Sequence, residues 1–159
     1  MSKKIQESYS EATHIVMAGD TNQMGNLHGG TLMQWVDIIG AVCASRHANR
    51  DVTTAALDSM DFKISIPIGY IVTLRASVTW TGNTSLEVRV DVYSEQPHAQ
   101  KKIRTNTAYL VFVAIDAHKK PIKVPSIIIE TQEEKEEYER AIARKQNRLS
   151  RKSENRIFK

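Results

Sequence analysis

Four stretches of the chain alternate apolar and polar residues, which is typical of β-strands with one buried face. The predicted strands are residues 53–66, 72–80, 86–92 and 103–115, and a weaker candidate lies at 9–17. Pro67 and Gly69 end the first stretch. The connections between several strands are short, which favours an antiparallel sheet over a parallel sheet with helical crossovers. Because residues 103–115 are apolar on both faces, we expect that strand to lie centrally.

Residues 29–48 follow a helical spacing instead, with apolar side chains recurring every three or four positions. Beside the apolar face runs a strip of small residues interrupted by Gln34 and Asp37. A helix that is apolar around most of its circumference has to be enclosed by other structure. The patterns together predict an α+β fold in which a long antiparallel sheet wraps around one helix.

A second helix is predicted at residues 131–149, amphipathic and with a sparse apolar side formed by Tyr138, Ile142 and Leu149. We expect it to be peripheral or used in assembly. Residues 140–159 carry eight Lys or Arg against one acid, Glu154. Few aromatic residues accompany these charges and no nucleic-acid-binding motif is present. We therefore expect a solvated helix end whose charge complements the helix dipole, and no nucleic-acid partner.

The composition is that of an ordinary soluble globular protein, with 41% hydrophobic and 25% charged residues in a chain of 159. The single cysteine, Cys43, excludes an intrachain disulfide and fits a reducing compartment. No apolar run is long enough to cross a bilayer, and residues 1–10 lack the apolar block of a signal peptide. These features predict a cytoplasmic protein without membrane insertion.

Candidate chemistry is concentrated in residues 25–37. Gly29 and Gly30 stand where the first helix would begin, and Asp37 lies two turns inside it. Backbone N–H groups at a helix start favour negative charge, so the glycines could hold an oxyanion. A carboxylate among apolar residues is costly unless it is paired or used in chemistry, which makes Asp37 a candidate base. A purely structural ion pair is equally typical of such an acid, and Asp37 alone favours neither interpretation.

Two neighbours of the glycine pair extend the candidate site. Asn26 could orient a water or a carbonyl, although an asparagine before a helix is more often a cap, and His28 is expected to line the site. Asp37 lies roughly 12 Å along the helix axis from its start, at ~1.5 Å per residue. Asn26 and Asp37 of one chain could not easily hold the same reacting atom. A two-fold dimer could bring Asn26 of one subunit to Asp37 of the other.

Other chemistries lack their signatures. The five histidines show no metal-ligand spacing and no cysteine pair exists, so no metal site is expected. Cys43 and His47 are four residues apart on the helix and could touch, but Cys43 falls on the apolar face and is expected to be core. The chain has no Gly-x-Ser-x-Gly elbow, no phosphate-binding loop and no dinucleotide fingerprint.

Several short motifs, in order, resemble the acyl-CoA thioesterases of the hotdog fold. The resemblance is greatest to the branch of bacterial short- and medium-chain acyl-CoA hydrolases and the brain-type cytosolic hydrolase of animals. It runs from about Glu11 to Pro125. Its motifs are Asn-Leu-His-Gly-Gly at 26–30, the helix with Asp37 continuing to Ser-Arg-His-Ala-Asn at 45–49, and the segments 52–62, 84–88 and 122–125.

This resemblance implies a hotdog domain at residues 9–125, followed by a charged helical tail at 126–159. It implies hydrolysis of acyl-CoA to a fatty acid and coenzyme A, with Asp37 as general base or nucleophile and Asn26 acting from the partner subunit. Gly29, Gly30 and His28 would position the substrate. Coenzyme A is part of the substrate, so no further cofactor is implied. The candidate coenzyme A contacts are Ala56, Leu57, Asp58, Ser85, Leu86 and Glu87.

Members of this kind form homo-oligomers, often trimers of dimers, and the sequence itself supports at least a dimer. A different class of function is a module that binds or senses acyl-CoA without hydrolysing it. A hotdog dehydratase or hydratase is a weaker third alternative, because those enzymes pair an acid with a catalytic histidine and only His28 is locally available.

Overall fold

The computed structural model describes residues 1–58 and 60–157, with the side chains of 155–157 excepted. It contains seven strands, two long helices and two single 3-10 turns (Ile5–Glu7 and Ala18–Asp20) within these residues. The strands and helices are β1 Ser2–Lys4, β2 Ser10–Ile15, α1 Gly29–Ala48, β3 Asp51–Leu57, β4 Ile71–Thr81, β5 Ser85–Glu95, β6 Lys102–Ile115, β7 Ser126–Ile128 and α2 Gln132–Ile157.

Five of the strands form one antiparallel sheet of order β2-β4-β5-β6-β3, and β1 pairs with β7 in a separate parallel pair. The apolar residues of the alternating pattern face α1: Leu86, Val88, Val90 and Val92 of β5 are completely buried. Strand β5 is central, and β6 lies beside it in the sheet interior. The predicted antiparallel sheet around one helix is confirmed, whereas the short strands β1 and β7 were not predicted.

Helix α1 has the bounds that its periodicity predicts. His28 is the N-cap with extended backbone, and Asn49 ends the helix in the left-handed region, with φ 54° and ψ 33°. Lys3 donates hydrogen bonds from Nζ to the carbonyl of Arg46 and to Oδ1 of Asn49, which places a positive charge at the negative end of the helix.

The predicted enclosure of α1 is incomplete in a single chain. One side of the helix is buried against the sheet, with Val36 and Cys43 fully covered. Ile38 is 54% exposed and Met33 is 40% exposed. The sheet curls around one side of the helix, and the other side remains open to further contacts.

The strand predicted at 53–66 ends at Leu57, so the prediction is wrong for its second half. A bulge between Thr54 and Ala56 already disturbs the pairing of β3 with β6. The chain then leaves the sheet, and at Ile66 the backbone carbonyl accepts from the N–H of Leu27 in the loop before α1 (2.7 Å). Alternation of apolar residues indicates an extended chain, but a strand also needs a neighbouring edge with which to pair.

Helix α2 lies on the outer face of the sheet and extends eight residues beyond its predicted end. The predicted apolar side does not form the contact, because Ile142 and Leu149 are among the exposed residues. Ala141, Arg144 and Arg148 face the sheet instead. The predicted solvated basic end is therefore corrected for these two arginines, which are paired with acids of the sheet.

None of the described helices is long and apolar enough to span a membrane.

Candidate active site

Asp37 is half-buried on α1, and its carboxylate is held by the neighbouring strand. The hydroxyl of Thr54 on β3 donates to Oδ1 of Asp37 at 2.8 Å. The other carboxylate oxygen, Oδ2, has no hydrogen-bond partner among the described residues. One oxygen is thus oriented and the other is available to a water or a substrate. Thr54 carried no predicted role, because only the packing of β3 beside α1 brings it to Asp37.

Asp37 borders an open groove with a volume of about 1370 Å³. Its floor is apolar and comes from the exposed side of α1 and the adjacent strand, including Ile38, Ala41, Val42 and Val52. Arg46, Arg50 and Lys119 add positive charge at the groove. The small-residue strip predicted on α1 is divided by the fold: Ala41 lines the groove, whereas Ala44 is completely buried in the core.

At the start of α1, the two predicted oxyanion donors, Gly29 and Gly30, differ in whether their N–H groups already have an acceptor. The N–H of Gly30 donates to Nδ1 of His28 at 3.1 Å, so this donor is already satisfied by the N-cap side chain. The N–H of Gly29 finds no acceptor among the described residues. The ring of Phe62 lies directly against Gly29, since a Cβ at this position would be 3.5 Å from the ring. The N–H of Gly29 is the anion donor that this geometry leaves available.

Asn26 lies in a tight loop that leads into α1, and a second asparagine organises that loop. Oδ1 of Asn22 accepts from the backbone N–H groups of Met24 (3.0 Å) and Asn26 (3.3 Å). The backbone N–H of Asn22 donates to the carbonyl of Asn26 (2.9 Å). The side-chain amides of Asn22 and Asn26 make no further hydrogen bonds within the described part of the chain, Asp37 included. Asn22 was not singled out from the sequence.

The two predicted coenzyme A segments are brought together by α2. Nη1 of Arg148 lies 3.1 Å from Oδ2 of Asp58, at the end of β3, and 3.4 Å from Oε2 of Glu87 on β5. The carboxylate of Glu87 is completely buried, and it also contacts Arg144 and accepts from the hydroxyl of Thr79.

The other predicted contacts differ in their accessibility. Leu86 is fully buried in the core facing α1, whereas Ala56, Leu57 and Ser85 are half-buried. Contact of these residues with coenzyme A stays a prediction. The side chain of Leu86 is too buried to take part, so the accessible residues around Asp58 are the ones that could contact coenzyme A.

Alternative chemistries find no support in the remaining titratable groups. Cys43 is completely buried, and its burial raises the pKa of the thiol to about 12. His47 is buried between Ser8 and the carbonyl of Pro125, and burial lowers the pKa of its imidazole. Among residues 1–58 and 60–157, no group of three or more His, Cys, Asp or Glu side chains is arranged to hold a metal ion.

The sequence profile that matches this chain, over residues 24–100, is that of the thioesterase superfamily. The Bacillus subtilis protein named uncharacterized acyl-CoA thioester hydrolase YkhA is 38% identical over 146 residues, which are 92% of this chain and 85% of that protein. The cytosolic acyl coenzyme A thioester hydrolase of Rattus norvegicus is 32% identical over 136 residues. These residues are 83% of this chain but only 36% of the rat protein.

Solved structures agree with the sequence matches. An apo-hexameric acyl-CoA thioesterase superposes with a TM-score of 0.91 at 40% identity, covering 95% of this chain and 97% of that one. The acyl-CoA hydrolase of Staphylococcus aureus, in complex with butyryl coenzyme A, coenzyme A and coenzyme A disulfide, has a TM-score of 0.91 at 35% identity, with 99% and 96% covered. Structures of its alanine variants at one asparagine, one aspartate and one threonine are also among the matches. The predicted hotdog fold is thereby confirmed, and this chain belongs to the thioesterase superfamily.

Proposed function

We propose that this protein hydrolyses acyl-CoA thioesters to a free carboxylic acid and coenzyme A. The observation that carries the proposal is the Asp37 carboxylate, with one oxygen held by Thr54 and the other available, at the edge of a groove with an apolar floor. The relatives named acyl-CoA thioester hydrolase support the same substrate class. Nothing in the described residues favours a module that only binds acyl-CoA, because binding alone needs no oriented carboxylate.

The proposed chemistry uses Asp37 as a general base. The thioester oxygen accepts from the N–H of the partner subunit's Gly29, because Gly29 and Asp37 of one chain are roughly 12 Å apart along the helix axis. This hydrogen bond stabilises the negative charge that develops on the oxygen. Asp37 takes a proton from a water whose oxygen attacks the carbonyl carbon. The tetrahedral intermediate collapses by breaking the carbon–sulfur bond, and the thiolate of coenzyme A leaves and is protonated. Thr54 keeps the carboxylate oriented through its hydroxyl. No step uses a metal or a further cofactor.

The active site is completed by a second copy of the chain. The exposed side of α1, the open edge of β3 and the groove between them form one continuous surface beside Asp37. Apolar residues such as Ile38 would be covered there. A matching structure is described as hexameric, which supports a homo-oligomer. We propose that this assembly is a trimer of dimers. A cytoplasmic location is consistent with the relative named a cytosolic hydrolase.

Either Asn22 or Asn26 could be the asparagine that reaches Asp37 of the partner subunit. In the S. aureus hydrolase, the asparagine and aspartate that were replaced are separated by 15 residues, and the aspartate and threonine by 17. Asn22, Asp37 and Thr54 have the same two separations in this chain, whereas Asn26 lies 11 residues before Asp37. Both Asn22 and Asn26 belong to the loop before α1, so the loop as a whole is proposed to reach the partner's Asp37.

The first test replaces Asp37 with Asn, which keeps the size of the side chain and its acceptor for Thr54. We expect the release of free thiol from a panel of acyl-CoAs to fall by at least about a hundredfold, in line with the usual contribution of general-base catalysis. Coenzyme A binding and the unfolding midpoint should stay close to those of the wild-type protein. Wild-type protein that binds acyl-CoA but releases no thiol would instead identify the binding module.

The second test mixes inactive subunits. Asp37→Ala is combined, after reversible unfolding or co-expression, with Asn22→Ala and separately with Asn26→Ala. If the site takes Asp37 from one chain and the asparagine from the other, half of the randomly formed dimers contain one intact site, so about a quarter of wild-type activity returns. Only replacement of the asparagine that takes part in catalysis should both abolish activity by itself and restore activity when combined with Asp37→Ala. Absence of recovery in both pairs contradicts a site shared between chains.

A further inference from the structure

The segment that follows β3 is attached to the sheet at the point where the chain leaves β3. The N–H of Asp58 donates to the carbonyl of Tyr109 on β6 (3.0 Å), and its carboxylate pairs with Arg148 of α2 (3.1 Å). A few residues later, the side-chain amide of Asn106 donates to the carbonyl of Asp61. The beginning of this segment is therefore held by contacts to two different elements, although its described residues form no strand.

The other end of the same segment is fixed to the loop that leads into α1. The N–H of Leu27 donates to the carbonyl of Ile66 (2.7 Å), and the N–H of Ile68 donates to the carbonyl of Gly25 (2.9 Å). Ile66 itself is buried in the core. Because one end is held at β6 and the other at the loop before α1, the residues between them pass the N-terminal end of the helix.

Phe62 lies at the point where the segment passes the helix. A Cβ at Gly29 would have three atoms of the Phe62 ring within 3.8 Å, so the ring rests directly on that glycine. The ring is nevertheless 51% exposed. One part of this aromatic surface covers Gly29, and about half of the side chain remains exposed in the single chain.

Two independent observations thus coincide at Gly29. It is the glycine whose N–H has no acceptor in the described part of the chain, since His28 occupies the N–H of Gly30, and it is the glycine that the exposed ring touches. A carbonyl oxygen bound ~2.9 Å from the Gly29 nitrogen places its acyl chain beside the residue that the ring contacts.

We propose that Phe62 determines acyl-chain specificity by forming the apolar surface against which the first methylene groups of the acyl chain pack. The inference rests on the proposed thioesterase function and deepens it, by naming the residue that recognises the part of the substrate beyond the thioester. Phe62 offers no group that could take or give a proton, so it affects which acyl chain binds and leaves the chemical step to Asp37.

The test measures binding independently of turnover. Ketone analogues of acyl-CoA, in which a methylene group separates sulfur from carbonyl, cannot be hydrolysed and retain both the carbonyl oxygen and the acyl chain. Their dissociation constants, from acetyl to octanoyl chain lengths and for coenzyme A alone, are measured by calorimetry on the wild type, Phe62→Ala and Phe62→Leu. Leu149→Ala on α2 is the matched control, because Leu149 is 54% exposed and lies on the outer side of the sheet.

We expect Phe62→Ala to weaken binding of the butyryl and longer analogues by about tenfold, the usual effect of losing a contact with an apolar group of this size. Coenzyme A and the acetyl analogue should change by less than about twofold. Phe62→Leu should retain most of the preference, and Leu149→Ala should match the wild type. Rates of thiol release across the same chain lengths should follow the binding profile.

Three results would overturn the proposal: an unchanged chain-length profile, an equal loss for every ligand, or a changed mass in solution with a parallel loss of binding. The last would make Phe62 an assembly contact. Failure of the proposed function is distinguishable, because the wild type would then bind the analogues without releasing thiol from acyl-CoA while the effect of Phe62→Ala on binding remained. Wild-type protein that binds no acyl-CoA analogue contradicts both.

Discussion

Single hydrogen bonds decide which polar groups of the site are available for chemistry. The imidazole of His28 satisfies the N–H of Gly30, and the hydroxyl of Thr54 satisfies one oxygen of Asp37. The N–H of Gly29 and Oδ2 of Asp37 are left without partners among the described residues. These two groups have the opposite characters that hydrolysis of a thioester requires, one donating to an oxyanion and one accepting a proton.

His47 gives a prediction about stability that belongs to a single residue. Burial lowers the pKa of its imidazole below the ordinary value of 6.5, while the carbonyl of Pro125 favours the protonated form. The unfolded chain therefore binds a proton more readily than the folded chain, so stability is complete above about pH 6.5 and falls as the pH decreases below that value. The expected slope is up to about 1.4 kcal/mol per pH unit.

The measurement is urea unfolding between pH 8 and pH 5 for the wild type and His47→Gln. The variant should be less stable at pH 8, since the buried contacts to Ser8 and Pro125 change. Its stability should depend less on pH between 7 and 5. Equal pH dependence in the two proteins would show that His47 does not titrate differently on folding.

At the level of elements, α2 is attached to the sheet mainly by charged side chains. Arg144 contacts both Glu87 and Glu137 and lies over the ring of Tyr109, with its guanidinium carbon 3.6 Å from the ring centroid. Burial of Glu137 raises the pKa of its carboxyl, but the hydrogen bond from Arg140 and the charge of Arg89 together lower that pKa by more, which keeps Glu137 ionised. The apolar pattern of the helix did not predict this interface, because alternation of hydrophobic residues carries no information about buried ion pairs.

Arg144→Ala is therefore expected to destabilise the protein strongly. Glu87 is completely buried and would lose its principal partner, and breaking a buried ion pair costs about 3–5 kcal/mol. The double variant Glu87→Met/Arg144→Met should recover much of that loss, since two uncharged side chains leave no buried charge unpaired.

Arg140→Ala is the matched control for this prediction. Arg140 contacts Glu137 from the same helix but is 56% exposed, so its loss should cost no more than about 1 kcal/mol. Free energies of unfolding in urea compare the three variants. If Arg144→Ala cost no more than Arg140→Ala, the network would not be what attaches α2 to the sheet.

At the level of the whole molecule, the open side of α1 is the feature that a single chain leaves incomplete. The groove beside Asp37 has an apolar floor, and within residues 1–58 and 60–157 no strand pairs with the outer side of the edge strand β3. Exposed apolar surface next to an open strand edge is typical of an assembly interface. This arrangement agrees with a site that needs the loop of a second subunit.

Ile38→Glu tests that arrangement. Ile38 is 54% exposed in the single chain, so a charge there should leave the fold and the circular dichroism spectrum unchanged. In an assembled interface the same charge would be buried without a partner, and we expect the mass in solution to fall and thiol release to be lost together. Leu149→Glu, with the same exposure but on the outer side of the sheet, should retain turnover. A variant of Ile38 with wild-type mass and activity would place the interface elsewhere.

The elements with strong periodicity could be predicted from the sequence alone: the bounds of α1, the strands β4, β5 and β6, and the position of Asp37 inside the helix. Periodicity is a local property, because side-chain spacing follows directly from the helix and strand geometry. Four features follow from tertiary packing: the path of the chain after Leu57, the contact of Phe62 with Gly29, the burial of Glu87 under α2 and the pairing of Thr54 with Asp37. Most of these contacts join residues far apart in sequence, and their partners are set by strand register and helix packing, which no local pattern encodes.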